Sequence, residues 1–94
     1  MSPSMSVPLK VYRVSVDLAS AWLSTSRQEK IKPEKVALYS AAIVNGRWDT
    51  ERHTNDPVKF WDGRLINGNH RLHAVIDCGE SADMWVLGEP PKGD

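Results

Sequence analysis

Val58-Lys-Phe-Trp61 runs directly into Asp62-Gly-Arg-Leu-Ile-Asn-Gly-Asn-His-Arg-Leu72, and the reading of this stretch decides the fold. Two β-rich runs, 58–61 and 64–66, flank Asp62-Gly63, a dipeptide that accepts positive φ at both central positions of a type I′ turn. The segment therefore reads as a β-hairpin. Asn67-Gly68-Asn69 ends its second strand, and Leu72, Val75 and Ile76, at i, i+3 and i+4, mark a short helix closed by Gly79.

Upstream, Lys10 to Val16 alternates, with Tyr12, Val14 and Val16 on one face, as in a half-buried strand. Asp17 then stands as the expected N-cap of a short helix carrying Leu18, Trp22 and Leu23, which fades at Ser24-Thr-Ser26. Arg27 to Lys35 is the most basic stretch and lacks apolar periodicity, so it reads as a solvated connection. Pro33 suits the first turn of a helix running to Asn45, with Gly46 as its stop. Val36, Tyr39 and Ile43, flanked by Ala37, Ala41 and Val44, give that helix a broad apolar stripe and make it the expected main packing element. The polar segment from Asp49 to Pro57 reads as a loop, and Met84 to Leu87 as a last strand. The order strand, helix, helix, hairpin, helix, strand describes a small α+β domain with a mixed or antiparallel sheet. Residues 1–9 and 88–94, polar and proline-bearing, read as loose tails around a single domain over 10–87.

Ninety-four residues with 40% hydrophobic and 26% charged side chains fit one core and one modest cleft. The formal net charge is zero, with 12 basic and 12 acidic residues, so no bulk basic excess argues for tight nucleic-acid binding. The charge is unevenly spread, however: seven basic and three acidic residues lie in 1–47, and five basic and nine acidic in 48–94. Cys78 is the single cysteine, so no internal disulfide forms, and with no basic-then-apolar leader the expected setting is the cytoplasm. The longest uncharged run, Val36 to Gly46, has eleven residues, too few for a membrane helix, so no membrane partner is expected.

The chemistry concentrates where the hairpin enters the third helix. The first N–H groups of a helix lack intrahelical partners and the macrodipole adds partial positive charge there, so this end suits a phosphate or carboxylate. Gly68 would let a ligand approach the backbone, Arg71 offers a donor fork, and His70 offers a ring N–H or, when neutral, a base. The competing reading has Asn67 or Asn69 merely capping the helix, with His70 and Arg71 as ordinary first-turn residues. His70 and His73 lie three apart on one helix but have no cysteine pair or inward carboxylate motif beside them, so no metal site is assigned. Cys78 reads as a buried, inert thiol and His53 as a solvated loop residue. The four tryptophans read as core residues, with Trp61, beside the hairpin turn, the one placed to cover a ligand ring.

Asp62-Gly63-x-Leu65 followed by Gly68-Asn69-His70-Arg71-Leu72 and an apolar helix, preceded by a helix ending Asn45-Gly46-Arg47-Trp48, resembles the ParB/sulfiredoxin-like superfamily, in particular the small ParB-like proteins of phages and plasmids. The resemblance spans about residues 10–87 and implies a mixed sheet with a hairpin and about three helices. It also implies that Gly68, Asn69, His70 and Arg71 contact the phosphates of a nucleotide or nucleic acid, with Asp62 beside them, and it leaves a nucleoside triphosphate with Mg as the open cofactor.

Two departures limit what carries over. Sulfiredoxins place a nucleophilic cysteine after the motif glycine, where this chain has Asn69, so the thiol reaction is not expected. Partition proteins usually carry Glu-Arg-Arg there and add a helix-turn-helix and a dimerisation region, which 94 residues do not accommodate. Three functions follow in order: a nucleotide-phosphate or nucleic-acid-associated binding module, a non-enzymatic protein that binds a host protein, and a metal-assisted phosphodiesterase or nuclease with His70 as its catalytic acid/base. A binding junction requires fewer groups than a hydrolytic one, and the chain shows no paired carboxylates or Ser/His/Asp arrangement.

Overall fold

A computed structural model describes residues 9–26, 30–49 and 57–90. Asp62 and Gly63 both take positive φ, 55° and 75°, as a type I′ turn requires, and join β2 (Val58–Trp61) to β3 (Arg64–Asn67). Their antiparallel ladder pairs Phe60 with Leu65 and Trp61 with Arg64, with a bulge beyond Phe60. Beyond the hairpin, α3 (Asn69–Cys78) leads to β4 (Ala82–Leu87), which lies parallel to β2 and antiparallel to β1 (Leu9–Val14). The result is a mixed four-stranded sheet in the order β1-β4-β2-β3. With α1 (Val16–Leu23) and α2 (Pro33–Val44), the described residues form three helices and four strands, an α+β fold.

The period-two pattern decides which side of the sheet is covered. Ala82, Met84 and Val86 of β4 are buried, together with Val14, Val58, Phe60 and Leu65 from the other strands. They meet Trp22 of α1 and Leu72, Ala74 and Val75 of α3 in one core. Trp22 is its largest member, 1% exposed, with Tyr12 and Phe60 edge-on to it at ring centroid distances of 5.6 and 5.0 Å. β4 reaches further back than the 84–87 expected from sequence, because Ala82 and Asp83 still pair with Val14 and Arg13. Leu9 pairs with Leu87 at the outer end of the β1–β4 ladder, and Gly88 lies close to the Phe60 carbonyl.

Three local expectations need correction. The first strand ends at Val14, because Ser15, and not Asp17, is the N-cap of α1: its hydroxyl accepts the Leu18 N–H at 3.1 Å. Val16 therefore belongs to the helix, and Asp17 in its first turn favourably faces the positive dipole end. The longest helix, α2, is not the main packing element. Only Ser40 and Ile43 are buried on it, and Ala37, Ala41 and Val44 face outward. Ser40 occupies the seam with α3, sharing its hydroxyl proton between the Asp77 carboxylate at 2.9 Å and the Ala74 carbonyl at 3.3 Å. The helix at the centre is α3, with five buried residues. Finally, Trp61 is 72% exposed and not in the core, because it alternates with the inward Phe60.

The stop signals behave as their chemistry demands. Gly46, at φ 71°, closes α2 in a Schellman arrangement, with Arg47 N–H donating to Ala42 and Gly46 N–H to Ile43. No helix among the described residues is long and apolar enough to cross a membrane. Residues 1–8, 27–29, 50–56 and 91–94, including His53 and most of both expected tails, lie outside the described residues.

Candidate functional site

The corner between β3 and α3 is built on Gly68, at φ 108° and ψ 10°. A Cβ on this residue would lie 2.9 Å from Val58 Cγ2 and 3.3 Å from Val58 Cα. The close approach that this glycine permits is thus to the first residue of β2, a packing role that sequence alone does not separate from ligand access. Gly68 has no side chain with which to cap the helix, and the intrahelical ladder begins only with Leu72 N–H donating to the Gly68 carbonyl at 3.1 Å. The amides of Asn69, His70 and Arg71 precede that first bond, and no acidic residue occupies the first turn.

The three side chains that follow are held from different directions. Asn69, 5% exposed, accepts the Ser26 hydroxyl proton on Oδ1 at 2.6 Å, tying the end of α1 to the start of α3. His70 is half-buried and accepts the Lys32 backbone N–H on Nε2 at 3.0 Å. Accepting there leaves a neutral ring with its proton on Nδ1. Arg71 is 3% exposed and brings a permanent positive charge into the interior. Gly68, Asn69, His70 and Arg71 thus share one corner with Ser26 and Lys32. Asp62 does not join them: it sits exposed in the hairpin turn, at the far end of β3, and a four-residue strand rises about 3.4 Å per residue.

Sequence reasoning missed the Ser24-Thr25-Ser26 strap. Thr25 Oγ1 accepts the Leu65 N–H at 3.0 Å and donates to the Trp22 carbonyl at 2.8 Å, so consecutive hydroxyls clasp β3 and α3 to the end of α1. Three small hydroxyl residues after an apolar helix were the available signal, since such side chains favour backbone bonding over continued helix. Thr25→Val, which keeps the shape and deletes the hydroxyl, leaves the Leu65 amide without its acceptor. We expect about 1–3 kcal/mol of lost stability, read from denaturant melts.

The remaining titratable groups are scattered. His73 lines an open cleft of about 420 Å³ between α2 and α3, with Ile31, Pro33, Val36, Ala37, Ile76 and Asp77. Cys78 is half-buried, its Sγ facing the Val75 and Glu80 carbonyls at 3.8 and 3.9 Å, and is more accessible than the sequence suggested. Among the described residues no three His, Cys, Asp or Glu side chains gather as a metal site. The corner therefore offers donors suited to the phosphates of a nucleoside triphosphate, but among the described residues no carboxylate cluster suited to its Mg. Chemically the arrangement can hold an anion.

No known protein family, curated protein or solved structure matches this chain.

Proposed function

We propose that this chain is a binding module of the ParB/sulfiredoxin-like type that takes the phosphate of a nucleotide or nucleic acid at the corner between β3 and α3. The carrying observation is the start of α3: a left-handed Gly68 without a capping side chain, and a first turn that holds no acidic residue and carries the basic Arg71. Helix-end amides favour negative charge at this point, and Arg71 adds a positive charge within the same turn. The ties to Ser26 and Lys32 hold Asn69 and His70 in place. That pre-organisation lowers the entropy lost on binding. Because His70 Nε2 already accepts a backbone N–H, the arrangement suits binding better than acid/base hydrolysis.

A nucleoside triphosphate at about 100 times its Kd adds roughly 2.7 kcal/mol to unfolding, equivalent to a rise in Tm of about 10 °C or more for a domain of this size. The expected result is such a rise, accompanied by shifts of the Asn69, His70 and Arg71 amide resonances. An unchanged Tm with every nucleoside triphosphate, and with inorganic phosphate, removes the proposal. A protein-binding role is the second reading, favoured by Leu38 and Val44 of α2, which are 69% and 55% exposed.

A further inference from the structure

The sheet has a second face, and it carries a composition of its own. Ten strand positions alternate away from the core: Leu9, Val11 and Arg13 of β1, Asp83, Trp85 and Leu87 of β4, Lys59 and Trp61 of β2, and Arg64 and Ile66 of β3. Three are basic, one is acidic and six are apolar. None of the apolar six belongs to the core or packs against it. The single acid on this face, Asp83, is engaged by Arg13 at 3.3 Å. Lys59 and Arg64 have no carboxylate partner among the described residues.

These two cations bracket Trp61. Lys59 precedes it by two residues on the same face, and Arg64 is its direct cross-strand partner in the β2–β3 ladder. The indole between them is 72% exposed, an unusual position for the largest aromatic side chain in a domain that buries another tryptophan at 1%. On the adjacent strand Trp85 provides a second, half-buried indole. From the pairing of Lys59 with Leu87, Trp61 lies four residues, or roughly 13 Å, further along the strands than Trp85. Lys59 stands between the two rings.

A sheet face with aromatic surfaces separated by cations that have no carboxylate partner among the described residues matches single-stranded nucleic acid: bases stack on rings of any sequence, and the cations follow the phosphate chain. A purely apolar partner would leave Lys59 and Arg64 to be desolvated without compensation. Duplex would offer these rings no free base faces. We propose that this face, with Trp61 as its main stacking residue and Lys59 and Arg64 as phosphate contacts, binds single-stranded nucleic acid without strong sequence preference. This does not depend on the α3 corner, which lies at the other end of β3.

The test is fluorescence anisotropy of a labelled oligo(dT) of about 12 nucleotides at low salt, with the whole chain. Trp61→Ala is expected to weaken binding about tenfold or more, Trp61→Phe to retain most of it, and the Lys59→Glu/Arg64→Glu pair to abolish it. Raising the salt should weaken the wild type more steeply than the charge variant with either single reversal. Because Trp61 is exposed, Trp61→Ala should keep the wild-type Tm, and it should keep any nucleotide-induced rise in Tm, which separates failure here from failure of the corner. Equal binding by wild type and Trp61→Ala, equal binding of a duplex of the same length, or no binding at low salt overturns the proposal. So does sedimentation that shows a dimer dissociated by Trp61→Ala in a chain that ignores the oligonucleotide.

Discussion

Gly68→Ala is expected to lower the unfolding free energy by about 2–4 kcal/mol. Two physical causes add at this one position. A φ of 108° lies where side chains with a Cβ are rarely accommodated, and the new methyl would meet Val58 Cγ2 at 2.9 Å and its Cα at 3.3 Å. Val58 is fully buried at the start of β2, so neither the strand nor the helix can retreat without opening the core. Gly63→Ala is the internal control. It has a similar positive φ, 75°, but nothing lies within 4 Å of the added atom, so only the conformational part, about 1 kcal/mol, should be lost. The difference between the two variants, from urea melts, isolates the contact with Val58. If the two lose the same stability, the corner is looser than its packing implies.

The second large effect is expected at Trp22. Truncation to alanine removes the ring that Tyr12 and Phe60 pack against and should lower stability by about 3–5 kcal/mol, a large part of the roughly 5–14 kcal/mol available to a chain of this length. Trp22→Phe should be far milder. The indole N–H is buried without a hydrogen-bond acceptor among the described residues, so phenylalanine removes that donor while it loses some packing volume. We expect a net change within about 1 kcal/mol for that variant. A loss from Trp22→Phe as large as that from Trp22→Ala, in the same melts, would mean that the N–H has a partner of real strength.

The hairpin and α3 were legible because their signals are local. Asp62-Gly63 can occupy a type I′ turn on intrinsic conformational grounds, and Gly79 at φ 74° ends its helix by the same logic. The start of α1 was misplaced by two residues because Ser15 and Asp17 are both competent caps, and only the strand's exit decides which hydroxyl or carboxylate meets the N2–N3 amides. The weight given to α2 was too great because an apolar stripe shows amphipathicity without showing depth. Its outward Leu38 has the same sequence appearance as its inward Ile43. For the candidate site, the Gly68 to Arg71 junction could be read directly, whereas the Ser26 and Lys32 ties could not: they join residues 43 and 38 positions apart. Asp62 stood near the junction in sequence, but an extended strand carries it away within four residues.

The position of β4 governs when this molecule can be finished. Among the described strands β4 leaves the ribosome after the other three, yet it lies between β1 and the hairpin and pairs Leu9 with Leu87. A nascent chain that stops before Ala82 holds two sheet fragments with no strand between them, and much of their apolar surface waits in water until β4 arrives. Closure of the sheet therefore waits for β4, and the interval before it is when chaperones or proteases have their best access.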